Sequence, residues 1–179
     1  MRFGPDILAR CDALAAISED PGRLTRTYLT PQHRAAGEAI AGWMREAGME
    51  AHFDALGNVV GRYAAADPGA PVVVTGSHMD SVVDAGRYDG IFGILSPIAC
   101  VADLHARGRR LPFALEVVAF GDEEGVRFGV SMLGSRALAG RFDMAALERR
   151  DANGVSMREA LVAFGGNPAA IPALARRGV

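Results

Sequence analysis

The chain has 179 residues, half of them hydrophobic and 22% charged, a balance that allows one well-buried core and excludes disorder and low complexity. With 19 Lys and Arg against 21 Asp and Glu, the formal charge is −2, so no positive surplus recruits nucleic acid or an anionic membrane, and a small molecule is the expected partner. The two cysteines, Cys11 and Cys100, lie far apart in apolar, helix-like stretches and are expected as small buried thiols, which suits a reducing cytoplasm.

Arg10 and Asp12 interrupt the apolar core that a secretory signal needs, and the longest apolar run, residues 90–102, is too short to span a bilayer; a cytoplasmic protein is expected. Ile7, Leu8, Cys11, Leu14 and Ala15 recur at helical spacing and predict a first amphipathic helix, ended by the turn formers of residues 18–22. Thr30 and Pro31 are a cap and first position for a second helix. Its apolar face is Ala36, Ile40, Trp43, Met44 and Ala47, its wet face carries Arg34, Glu38 and Arg45, and Gly48 ends it. Residues 49–64 predict two short strands joined around Leu56, Gly57 and Asn58. From Pro71 the pattern becomes a strand, helix, strand unit: Val72 to Thr75, a helix over about 90–108, and residues 113–120. The two apolar, β-branched runs read as parallel strands covered on both faces. The helix between them turns Ile91, Ile94, Leu95, Ile98 and Ala102 inward, and Pro97 is expected to kink it or lie near its start. Residues 131–140, 143–150 and 155–164 predict short helices.

Chemistry-bearing residues gather in two stretches: Gly76 to Gly90, with His78, Asp80, Asp84 and Asp89, and Gly121 to Gly125, with Asp122, Glu123 and Glu124. In a right-handed crossover both parallel strands end at one sheet edge and the helix between them starts there, so these residues converge where open α/β sheets bind ligands. Carboxylates packed together without a cation raise one another's pKa and cost stability, which predicts one or two divalent ions. Imidazole nitrogen with carboxylate oxygens suits zinc or manganese better than calcium. Singly, each signal is ordinary: His78-x-Asp80 is a surface loop, Asp89-Gly90 a turn, Glu123-Glu124 a solvated helix start. Their common edge is what favours a metal site. His105 reads as a satisfied core or helix-end histidine, and His33 and His52 read as surface or packing residues.

The segments Gly76-Ser-His-Met-Asp-Ser, Gly86-Arg-Tyr-Asp-Gly-Ile-Phe-Gly-Ile-Leu, Asp122-Glu-Glu-Gly-Val-Arg-Phe and Leu133-Gly-Ser-Arg-Ala-Leu occur in that order. Weaker agreement lies at Thr30-Pro31, Trp43-Met-Arg-Glu-Ala-Gly and Gly57-Asn58. On these residues essentially the whole chain resembles the aminoacylase and allantoate amidohydrolase superfamily of di-metal hydrolases, in the branch of allantoate amidohydrolase, N-carbamoyl-L-amino-acid hydrolase and β-ureidopropionase. The resemblance implies a zinc-peptidase-like three-layer α/β sandwich: a mostly parallel sheet with helices on both faces, incomplete at the C-terminus. It implies two divalent ions, zinc or manganese, with His78 on one, Asp89 bridging both and Glu124 on the second. Glu123 would be the general base, and Asp80 would hydrogen-bond the far nitrogen of His78, fixing its tautomer. The implied reaction is hydrolysis of a linear ureido or amide C–N bond, with allantoate preferred and the N-carbamoyl-L-amino-acid hydrolase or β-ureidopropionase reaction as the alternative.

Members of that branch are longer. They carry a lid and dimerisation domain, form homodimers, and supply a further histidine to each metal from C-terminal positions, whereas no histidine follows His105 here. Residues 1–179 are therefore expected to be the N-terminal part of a metallo-amidohydrolase catalytic domain, a fragment or a gene cut short. The lid and the C-terminal catalytic segment would be absent, each ion would keep two protein ligands, and the fragment alone would be inactive. A folded remnant without activity and a dipeptidase are the competing expectations.

Overall fold

A computed structural model describes residues 3–176. Helix α1 (Phe3–Ala15) buries Ile7, Cys11 and Leu14 and leaves Leu8 outside. Helix α2 (Pro31–Glu46) starts as its sequence dictates: Pro31 occupies the first turn, where a missing N–H costs nothing, and the Thr30 hydroxyl accepts the His33 N–H. Strands β1 (Glu50–Phe53) and β2 (Val59–Tyr63) form the expected hairpin. Strand β3 (Val72–His78), helix α3 (Ile91–Ala106) and strand β4 (Ala114–Phe120) form the crossover unit, with β3 and β4 parallel.

The sheet order is β1-β2-β4-β3. Because β2 pairs antiparallel with both β1 and β4, the strands β1, β3 and β4 point one way and β2 alone runs against them. The expected α/β class holds; the sheet is mixed because the return arm of the hairpin is inserted beside β4. Helices α1, α2 and α3 cover one face, packing Leu14, Ile40, Met44, Ile94, Ile98 and Val117 into the main core. On the other face lie α4 (Leu133–Leu138) and a 3-10 helix at Pro168–Leu174. There Glu116, nearly fully buried, is bonded by Arg62 at 3.0 Å and Arg176 at 2.6 Å, which offsets the desolvation of its charge. A second cluster, with Tyr28, Leu56, Phe128, Leu133, Leu161 and Ile171, joins these helices to α5 (Met157–Phe164), whose Ser156 and Glu159 form a capping box.

Four expectations change in detail. Helix α3 runs on through Pro97, which sits in its second turn. Cys100 is exposed, because Ile91, Ile94, Leu95, Ile98 and Val101 already supply the buried stripe of α3; Cys11 is buried, and both thiols are free. Residues 143–150 form a 3-10 helix (Met144–Glu148). Strand β4 is covered as expected, but β3 is an edge strand with Val73 exposed.

His33 is completely buried, with Nδ1 accepting the Leu29 N–H at 3.3 Å and the Tyr28 ring edge-on at 5.4 Å. Burial first, then the charges of Arg26, Arg34 and Arg127, push its pKa down from the ordinary 6.5 to about 3, so it is neutral in the fold. Its contribution to stability is complete above pH 6.5 and is lost as pH falls toward 3, by about 1.4 kcal/mol per pH unit at most. Urea midpoints measured across that window should fall with pH, and His33→Asn, which keeps an acceptor for the Leu29 N–H, should flatten the slope. An unchanged slope would show that other groups carry the acid sensitivity.

Candidate metal centre

Strands β3 and β4 end level, with His78 opposite Phe120, and the Met79 N–H donates to the Phe120 carbonyl at 2.9 Å beyond the last paired residues. This parallel register sets residues 78–80 beside residues 121–124. Gly90 then brings Asp89 back to the same edge. Its φ of +65° is one that L side chains avoid, and a Cβ there would lie 2.4 Å from the His78 carbonyl oxygen and 2.7 Å from its ring.

His78, Asp89 and Glu124 each offer a ligand atom, and these atoms all lie within 4.8 Å of one another. His78 Nε2 is 3.5 Å from Asp89 Oδ1. Behind the ring, Nδ1 lies 3.0 Å from the carbonyl oxygen of Asp80 and 3.5 Å from its Oδ1. A carbonyl can only accept, so Nδ1 carries a hydrogen and Nε2 is the ring nitrogen directed at the cluster. The Asp80 carboxylate, 2% exposed, accepts the Glu123 N–H at 3.0 Å on Oδ1 and the Glu124 N–H at 3.1 Å on Oδ2. Asp80 thus lies behind His78, with its carbonyl and its carboxylate both facing Nδ1, and the carboxylate also clamps the opposite loop.

The electrostatics are those of crowded acids. The interaction with the Asp80 carboxylate leads the causes that push His78 up to about 9, with the Asp80 carbonyl and the charge of Asp89 adding to it and burial opposing it. Burial raises Glu124, with Glu123, Asp89 and Asp80 adding to the rise and His78 opposing it. Burial and then Asp80 push Asp122 up to about 8, and its Oδ2 has no hydrogen-bond partner. An imidazole nitrogen aimed between two carboxylates, in a group whose acids otherwise repel, fits a divalent cation of the zinc or manganese kind. Glu123 stands outside the three-residue group; its carbonyl accepts the Met132 N–H and its side chain is partly exposed. Asp84 does not join the group either: its N–H donates to Thr25 Oγ1 at 3.3 Å. His52 and His105 are exposed, the latter at the end of α3 and edge-on to Tyr63.

Three supporting residues escape the sequence reading. Asn58 Oδ1 accepts the Gly121 N–H at 2.9 Å while its Nδ2 donates to Asp54 Oδ2 at 2.7 Å, so it holds the first residue of the acidic turn. Arg127 donates from Nη1 to the carbonyls of Tyr28 and Leu29 and pairs with Asp151, fastening the chain after that turn. Arg26 is buried beneath Met79. The Gly57-Asn58 motif pointed at the first and the Asp122-Glu-Glu-Gly-Val-Arg-Phe segment contains the second; nothing in the spacing around Arg26 marks it.

Such an edge, with imidazole and carboxylates converging on parallel strands, defines an α/β domain built to hold a cation at the carboxyl end of its sheet. Residues 58–163 match peptidase family M28, and the chain belongs to that family. It is 41% identical over 175 residues to the N-carbamoyl-L-amino acid amidohydrolase of Geobacillus stearothermophilus, covering 97% of this chain and 43% of that protein. It is 42% identical over 158 residues to the allantoate deiminase of Arabidopsis thaliana, covering 87% of this chain and 30% of that protein. The crystal structure of a hydantoinase/carbamoylase family amidase from Burkholderia ambifaria superposes with a TM-score of 0.85 at 36% identity, over 92% of this chain and 41% of that one. These relatives lie in the branch that the motifs indicate, and the chain spans less than half the length of each of the three.

Gly90→Ala should displace the His78 ring or its carbonyl while leaving the sheet intact. Affinity for Zn²⁺ or Mn²⁺, read by calorimetry on protein shown to be folded by circular dichroism, should fall by about tenfold or more. Unchanged affinity would mean that the site yields easily to the added methyl group.

Proposed function

We propose that this chain carries the metal-binding half of the active site of an amidohydrolase that cleaves linear ureido C–N bonds. The observation that carries the reading is the closing of His78, Asp89 and Glu124 around one point at the sheet edge, with a second glutamate adjoining it in sequence. On this reading Asp89, the most exposed of the three, would bridge two ions, His78 would hold one through Nε2, and Glu124 would hold the other. From these residues each ion would have two protein ligands. A pair of zinc or manganese ions there would supply a polarised carbonyl and an acidified water.

The chain's own residues do the rest. Asp80 keeps the hydrogen of His78 on Nδ1, so that Nε2 stays a donor of its lone pair. The Glu123 carboxylate takes a proton from the attacking water and returns it to the departing nitrogen, which leaves as ammonia. The N–H bond of Glu123 to Asp80 fixes the backbone from which that carboxylate swings. Allantoate is the leading substrate, supported by the likeness to allantoate deiminases. An N-carbamoyl-L-amino acid is the second reading, supported by a match of similar identity that extends over more of the chain. Among the described residues no helix is long and apolar enough to cross a membrane. The proposed reading carries with it a cytoplasmic homodimer acting on a small ureido compound, with no nucleic acid or membrane partner.

Ammonia released from allantoate and from N-carbamoyl-L-amino acids, assayed with Mn²⁺ and with Zn²⁺ in the whole protein that contains this chain, tests the reading; turnover of neither would sink it. In the active protein, Glu123→Gln should keep its metal and lose kcat by about 10² to 10⁴ if general-base catalysis is the main loss. Glu124→Gln should instead lose metal by elemental analysis and regain part of its activity with excess ion. The reverse pattern would exchange the two roles.

A further inference from the structure

Two of the three candidate ligands frame a loop, residues 79–90, that contains no helix and no strand. What holds that loop is a short stretch far upstream. The Ala85 N–H donates to the Leu24 carbonyl at 2.8 Å, the Asp84 N–H to Thr25 Oγ1 at 3.3 Å, and the Ser81 N–H to the Arg26 carbonyl at 3.0 Å. The Arg26 N–H returns a bond to Ser81 Oγ at 2.9 Å. Residues 24–26 are therefore a template along which the loop is laid.

The Arg26 side chain then passes beneath the loop. It is 1% exposed. Its Nε donates to the Met79 carbonyl at 2.8 Å, and Nη1 donates to the carbonyls of Leu14 at 2.8 Å and Ile17 at 3.1 Å. Helix α1 has no basic residue in its last turn, so this guanidinium supplies the donor and the positive charge that its C-terminal end lacks. Burying a guanidinium is costly unless its hydrogens find acceptors and an anion lies near; the three carbonyls and the buried Asp80 meet both needs. Burial lowers its pKa to about 10, which leaves it charged at neutral pH. A lysine could keep the charge but not the planar fork that reaches Met79 on one side and the end of α1 on the other.

We infer that Arg26 is a positioning residue of the metal centre: by fixing the peptide of Met79, it sets where His78 and Asp80 stand on either side, without touching the ion. This rests on the metal reading above. It differs from a general role in stability because it demands a change at the ion as well as in the melting temperature.

Cobalt(II) is the probe, titrated into the unsubstituted protein, Arg26→Lys, and Arg10→Gln as a surface-arginine control. Affinity is read by chelator competition, ligand geometry by the visible absorption of the bound ion, and folding by circular dichroism. Arg26→Lys should stay folded, bind cobalt about ten- to a hundredfold more weakly and show an altered spectrum, while Arg10→Gln matches the unsubstituted protein. Should Arg26→Lys fail to fold, Ser81→Ala, which removes the acceptor of the Arg26 backbone N–H and so loosens Arg26 against the loop without stranding a charge, should give the same change at smaller size. A folded variant with a lower melting temperature but the original affinity and spectrum would overturn the positioning role. Absence of cobalt binding in the unsubstituted protein would instead overturn the metal reading itself, and this inference with it.

Discussion

Asp80 reaches three ways at once, and the candidate site depends on it. Its carboxylate takes the N–H groups of Glu123 and Glu124, and its carbonyl takes the Nδ1 hydrogen of the histidine two residues before it. A carboxylate can stay buried when charge-assisted bonds replace its lost water, and here the replacements are groups whose positions matter for chemistry. The end of β3 and the turn after β4 are thereby joined by one side chain. Strand pairing alone would bring these ends to within a few residues of each other; the Asp80 clamp converts that neighbourhood into a fixed distance between an imidazole and two glutamates.

The reversed strand β2 serves the same site from the other side. Its neighbour Asn58, at the end of the hairpin turn, bonds the Gly121 N–H, and Gly134 packs so closely on the Asn58 amide that a Cβ there would lie 2.2 Å from Oδ1. The acidic turn is thus held at its first residue by Asn58 and along its middle by Asp80. Both holds are hydrogen bonds to backbone N–H groups, which leaves the side chains of Glu123 and Glu124 free to face outward.

Much of this was legible in the residues alone, for definite reasons. The apolar runs of β3 and β4 and the helical stripe from Ile91 to Val101 are periodic, and the handedness of a crossover then dictates that His78, Asp89 and Glu124 share an edge. The hairpin was legible from Gly57 and its neighbours, but not the place of β2 between β1 and β4, because strand order is decided by long-range packing that leaves no local trace. Arg26 was invisible for a related reason: it lies in an irregular segment, and its value comes from carbonyls that only the folded chain brings near. His33, three residues after the cap, left surface and packing readings open, and the Tyr28 and Phe164 rings enclose it. Cys100 was expected to be buried, but the other apolar residues of α3 already fill its covered face and the thiol is exposed.

The parallel register of β3 and β4 also governs the order of events in time. Three of the pairings in the centre, 26 with 79, 80 with 123 and 78 with 124, join residues separated by long stretches of chain, so loop-closure entropy must be overcome before any of them forms. The hairpin and the three large helices can form from local contacts; the acid-rich edge cannot, and it is assembled when the sheet closes. A cation held by that edge would have no equivalent site in the opened chain, so its binding free energy would add to the cost of opening. Where the edge parts before the transition state for unfolding, the ion acts as a brake on the unfolding rate, and the persistence of the folded chain becomes a function of metal supply.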